Sequence, residues 1–254
     1  MTELANVYLF GSRRTRVGTT SICLATAWNR ARRGRRVLVV DLHPQGHASI
    51  CLLKPEGYRL VGKDATIADF WTEDDATLEE RCLETVHADI DVLVGGPGVV
   101  QGFDARTMAM VQRPELRPPA VRWRRSLADL AARYDDVLID TPPGWPPLVR
   151  SFRGIIDRIV IPWVPDALWD SDLGAGKAGA PLARRVQHVV NRFSGSEEHS
   201  GSLQRIREMV ATGSKRVEFL PNLLIVPRVP CEEEMVPTAW RNPTFRKHLA
   251  TLLD

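Results

Sequence analysis

Short apolar runs recur along the chain at residues 7–10, 37–40, 89–95, 137–140, 159–164, 186–193 and 223–226. Each is four to eight residues long and rich in Val, Ile and Leu, as strands buried on both faces are. Between them lie segments with helical spacing. Residues 19–33 are rich in Ala and Arg and stop at Gly34. Residues 66–71 and 78–86 predict two short helices with acidic surfaces, and 203–210 predicts another helix. Trp123, Leu127, Leu130, Ala131 and Tyr134 fall on one helical face, the pattern of a core-packing helix. Phe245, Leu249, Leu252 and Leu253 share a face of a C-terminal helix that predicts docking on the sheet. Residues 99–119 read as irregular, with Met108 and Met110 as core fillers, and 194–202 reads as a flexible loop. Strands alternating with helices predict an α/β fold, a mostly parallel twisted sheet of seven or eight strands with helices on both faces.

Composition narrows this picture. The chain has 254 residues, 44% of them hydrophobic and 26% charged, which suits one α/β domain over 1–254. No window approaches twenty unbroken apolar residues, and no basic-then-apolar leader is present, so the sequence predicts a cytoplasmic protein. Nucleoid or inner-membrane association would come through partners, not by direct insertion. The cysteines at 23, 51, 82 and 231 form no C-x-x-C pair, consistent with a reduced compartment and no zinc site. The net charge of +3 falls short of a dedicated nucleic-acid binder. Arg30, Arg32, Arg33, Arg35 and Arg36 crowd one helix end, either as solvated cations suited to the dipole or as an anionic-partner surface. His43 and His47 are four apart, but no third ligand stands near in sequence.

Chemistry concentrates between the first two strands. The loop Gly11-Ser12-Arg13-Arg14-Thr15-Arg16-Val17-Gly18-Thr19-Thr20-Ser21 joins a strand to a helix. Open N–H groups and the helix dipole make such a junction an anion site, and Arg13, Arg14 and Arg16 add charge. The second strand ends in Asp41-Leu42-His43-Pro44-Gln45, and a later one in Asp140-Thr141-Pro142-Pro143-Gly144. In a parallel sheet both aspartates reach the same edge as the loop.

These motifs resemble the ParA/MinD family, a three-layer αβα P-loop fold with a deviant Walker A motif K-G-G-x-G-K-T-[ST] and a following D-x-D-P-Q. On that pattern Arg14 takes the signature lysine, Thr15 and Arg16 the two glycines, and Val17 and Gly18 match. Thr19 takes the P-loop lysine, Thr20 the magnesium-binding threonine, and His43 replaces the second aspartate after Asp41. Asp140 resembles the Walker B aspartate that holds a magnesium-bound water, and Thr141 with the prolines the switch that senses a γ-phosphate. Asn191 sits where the family reads adenine; a strand-end cap is the alternative. Pro227-Arg228 resembles the segment before the base-proximal loop, and Asp170-Ser171-Asp172 a motif near the dimer face. Trp163 and Trp169 fit either core or interface. The run from Val17 to Ser21, with Ala27-Trp28, resembles the BcsQ branch of cellulose-synthase accessory proteins.

The resemblance implies a nucleotide-gated homodimer that binds ATP and Mg and places a cargo through an adaptor protein. Its catalytic set would be Arg14, Asp41 and the degenerate His43, and its nucleotide contacts residues 13–21 with Asn191 and Pro227. Thr19 carries no charge and His43 is no aspartate, so hydrolysis is expected to be weak or lost. Three readings follow. One is a BcsQ-type scaffold of an envelope secretion machine. Another is a DNA-partition ATPase using Arg205, Arg207, Lys215, Arg216, Arg241 and Arg246. The third is an interaction module without nucleotide. If position 16 requires φ > 0, arginine pays strain there.

Overall fold

A computed structural model describes residues 5–53, 66–72, 77–113, 115–116, 118–144, 146–164, 183–193, 204, 218–219 and 224–227. Its strands are β1 (Asn6–Phe10), β2 (Val37–Asp41), β3 (Cys82–Glu84), β4 (Ile90–Leu93) and β5 (Asp136–Asp140). Then come β6 (Ile156–Trp163), β7 (Ala183–Phe193), β8 (Glu218–Phe219) and β9 (Leu224–Pro227). The helices are α1 (Thr19–Ala31), α2 (His47–Leu53), α3 (Ile67–Thr72), α4 (Val99–Gln112), α5 (Pro119–Ala131) and α6 (Pro147–Arg150).

The nine described strands form one sheet in the order β3-β4-β2-β5-β1-β6-β7-β8, with β9 also on β7. Every described pairing is parallel except β3 with β4. Alternation along each strand feeds two cores. Leu9, Leu38, Val40, Val137, Ile139, Ile159 and Ile161 point to the side of α3 to α6. Tyr8, Phe10, Val37, Val39, Leu138 and Val160 point to the side of α1 and α2. Helices therefore cover both faces in three layers, because strands apolar on both sides leave neither to water.

The α5 face predicted from spacing is observed: Trp123, Leu127, Leu130 and Ala131 are buried and Tyr134 half-buried. Each of the larger of these side chains contributes roughly 1.5–3 kcal/mol by leaving water. Trp163 resolves to the core, its indole N–H donating to His188 Nδ1 at 2.8 Å. Three expectations change. Residues 99–112 form α4, not an irregular stretch, because Gly98 at φ 90° turns the chain into a helix start. Met108 lies on its outer side, 73% exposed, and fills no core; Met110 is half-buried. Residues 78–86 hold a 3-10 turn, Glu79–Arg81, and then β3, because pairing with β4 overrides local helical spacing. Leu203 to Val210 (apart from Gln204), Trp169 to Asp172, the loop 194–202 and the C-terminal helix lie outside the described residues. So do all six DNA-binding candidates, Arg205, Arg207, Lys215, Arg216, Arg241 and Arg246. No helix among the described residues is long and apolar enough to cross a membrane.

Candidate functional site

β1, β2 and β5 are central and parallel, and Phe10, Asp41 and Asp140 end them in register. The loop 11–18 therefore sits above two strand-ending carboxylates. It is laced to its neighbours through main-chain atoms. Gly11 N donates to Val160 O at 3.1 Å, and Gly144 N to Ser12 O at 3.0 Å. Thr141 donates to Phe10 O from its N–H at 3.1 Å and from its hydroxyl at 2.8 Å. The segment after β5 is thus fastened to the loop.

Inside the loop, buried Ser12 donates to Arg14 O at 2.6 Å, and its Oγ lies 3.3 Å from Thr19 Oγ1. Arg13, Thr15 and Arg16 are exposed and Arg14 half-buried, so the loop presents cations outward. Arg16 takes φ 62°, the left-handed region that a side chain disfavours. Gly18, at φ 90°, precedes α1, and Ile22 N donates back to Gly18 O at 2.9 Å. The first-turn N–H groups of Thr19, Thr20 and Ser21 belong to a helix start that no side chain caps. Asn191 Nδ2 reaches across from β7 and donates to Val17 O at 2.9 Å.

Beneath the loop, Thr20 donates its hydroxyl to Asp140 Oδ2 at 2.7 Å. Asp140 is wholly buried, and its Oδ1 has no hydrogen-bond partner among the described residues. Burial and then the charge of Asp41 push its pKa well above the carboxylate range, against the lowering effect of Thr20. Asp41 is buried too, but its Oδ2 accepts from Ser49 N and Ser49 Oγ, each at 2.8 Å, and its Oδ1 from His43 N at 3.0 Å. Burial raises its pKa while those donors oppose the rise. Of the two carboxyls, Asp140 is shifted up the more strongly, because it accepts from Thr20 alone while Asp41 has three donors. The same burial and the two carboxylates push the Cys23 thiol up, which makes it inert packing.

Asp41 organises the turn into α2 and is engaged through both oxygens. His43 accepts from Gln45 N at 3.2 Å and stacks on His47, with ring centroids 5.4 Å apart. Burial and the neighbouring His47 lower its pKa, so it is neutral and held in the turn. Pro227 pairs with Phe193 at the end of β9, and its side chain lies outside the described residues. Sequence reasoning missed Ser12 and Ser49. Ser49 Oγ also accepts from Gly95 N at 3.0 Å, joining β2, α2 and the end of β4. No local pattern marks a serine eight residues beyond an aspartate, so only the fold reveals it.

The family model for an AAA domain matches residues 12–170, more than half of the chain and all of the loop and both aspartates. The chain belongs to the ParA/MinD family. Similar proteins of this family include the cell division protein PomZ of Myxococcus xanthus, 28% identical over 59% of this chain and 44% of that protein. The sporulation initiation inhibitor Soj of Bacillus subtilis is 29% identical over 51% of this chain and 46% of its own length. The chain spans about half the length of the curated relatives it matches. Among solved structures, MinD from Pyrococcus horikoshii complexed with Mg-ADP has a TM-score of 0.67 at 18% identity, over 98% of this chain and 94% of that one. Cyanothece apo McdA has a TM-score of 0.68 at 15% identity, over 98% of each chain. At these identities the two structures speak for the fold.

Proposed function

We propose that this chain is a ParA/MinD-type positioning protein, a single domain over 1–254 that binds ATP and Mg and hydrolyses ATP weakly or not at all. The observation that carries the reading is the pair beneath the loop. Thr20 and Asp140 share a hydrogen bond, and a second buried oxygen of Asp140 has no partner. A buried carboxylate oxygen left open is costly without a cation or ordered water to use it. A hydroxyl and one carboxylate are a donor set that suits Mg, which keeps several waters and takes its other ligands from phosphates. When bound, the ion would supply charge neutralisation at the phosphates. Thr20 would ligate it directly, and Asp140 would hold its water. The open N–H groups at the start of α1, with Arg13, Arg14 and Arg16, would take the phosphate charge.

Weak turnover follows from what stands at the remaining positions. Thr19 has no ammonium to meet the developing charge, and its hydroxyl lies against Ser12. Asp41 and His43 are both engaged in the turn that leads to α2. Positioning and charge stabilisation make up nearly all of phosphoryl-transfer catalysis, so losing both costs orders of magnitude in rate while binding survives.

The relatives include a cell division protein and a sporulation initiation inhibitor, names that fit a positioning role. The form we propose for it is a nucleotide-gated cytoplasmic dimer that acts on a cargo through an adaptor. The Val17 to Ser21 run keeps the BcsQ-type scaffold as a second reading within the family. Calorimetric titration of ATP and ADP with Mg, with the mass in solution followed alongside, tests the reading. Micromolar ATP binding that drives dimerisation is expected. No binding at millimolar nucleotide would overturn it and leave an interaction module.

A further inference from the structure

Asn191 stands at the end of β7, where the family resemblance leads one to look for an adenine reader. Its amide also has a partner in the loop. The side-chain amide donates to Val17 O at 2.9 Å, one residue before the glycine that opens α1. A Cβ built on Gly18 would lie 2.2 Å from Asn191 Nδ2, closer than any packed pair of atoms. Gly18 therefore has two reasons to lack a side chain: its φ of 90°, and the amide that fills the space beside it. Val17 is itself buried, so the contact pins a loop residue that is also anchored in the core.

We propose that Asn191 is a positioning residue that fastens the anion loop to β7. The proposal rests on the loop reading above and adds to it the part that holds the loop in shape. A loop with an arginine at positive φ needs such an outside restraint, since strained backbone persists only where its surroundings over-determine it. β7 lies in the sheet beside β6, so the restraint is built on a rigid strand.

Three variants test this: Asn191→Ala, Asn191→Asp and Gly18→Ala. Asn191→Asp keeps the shape and replaces the donor with an oxygen facing Val17 O. In nucleotide-free protein, amide exchange over residues 14–20 is expected to quicken about fivefold in Asn191→Ala and at least as much in Asn191→Asp. Unchanged exchange in both would overturn the proposal. Gly18→Ala should lower Tm less in an Asn191→Ala background than in the parent, because the clash is relieved while the φ strain stays. Additive losses would overturn the contact. If the parent protein binds no nucleotide, the function proposed above fails on its own, and the exchange and Tm results still decide the role of Asn191.

Discussion

At the scale of single residues, two side chains are held in states that cost free energy, and each yields a test. Arg16 sits at φ 62°, where an L side chain costs roughly 1–2 kcal/mol. Arg16→Gly relieves that strain but frees the unfolded chain by about 0.5–1 kcal/mol. The net expected gain is about 0.5–1 kcal/mol, read as a rise in the denaturant midpoint with an unchanged slope. A loss would show that the arginine makes a contact worth more than its strain. His188 is the second case. It is buried, accepts from Trp163, and burial lowers its pKa to about 4. Its folded pKa lies below the unfolded value near 6.5, so the neutral ring contributes stability that is fully present above about pH 6.5. As pH falls below that, the unfolded chain takes a proton that the native ring refuses. Stability should drop by about 1.4 kcal/mol per pH unit until the folded pKa is reached. Unfolding titrations of His188→Phe and the parent between pH 7 and 4 should diverge by that slope; parallel curves would sink the assignment.

Among the elements, the junction of β2, α2 and β4 depends on one small side chain. Ser49 gives Asp41 two of its three donors and takes the N–H of Gly95. Its place is fixed by a close approach of backbones: a Cβ on Gly95 would lie 2.3 Å from Asp41 O. Ser49→Ala keeps the helix but strips a hydroxyl from a buried carboxyl and orphans a buried N–H. The expected cost is about 2–3 kcal/mol in thermal unfolding, from unmet hydrogen bonding alone. Ser49→Thr, which keeps the hydroxyl, should recover part of it. If Ser49→Ala proves neutral, the serine does not hold this junction together. The same junction shows how far elements were legible beforehand. The long buried runs at 7–10, 37–40 and 137–140 announced β1, β2 and β5, because strands covered on both faces are apolar throughout. β3 was not legible: its three residues are half-buried or exposed, and only pairing with β4 makes them a strand. α4 was hidden because its outer side carries Met108 and Val111, which mimic core positions while standing in solvent.

For the whole molecule, the order of the loop, the two strand-ending aspartates and the strands between them was readable, because a parallel sheet brings all three to one edge. How the site is wired was not. That Asp41 is consumed by its turn, that Asp140 keeps an open oxygen and that Asn191 ties down the loop are tertiary facts with no spacing to reveal them. They bear on whether the missing chemistry can be put back. The lysine position, Thr19, begins α1 directly behind the loop, and its hydroxyl lies against buried Ser12. Thr19 is half-buried, so the long stem of a lysine can carry its ammonium out of the core. His43 is half-buried at the turn, and an aspartate could still accept from Gln45 N while adding a charge. Thr19→Lys with His43→Asp is therefore expected to raise ATP turnover by at least tenfold over the parent, measured as phosphate release at saturating ATP and Mg. Adding Arg16→Gly should raise it further by relaxing the loop around the phosphates. Turnover that appears only with Arg16→Gly would place the principal lesion in the strained loop, and no turnover in either variant would overturn the reading that Thr19 and His43 are the lesions.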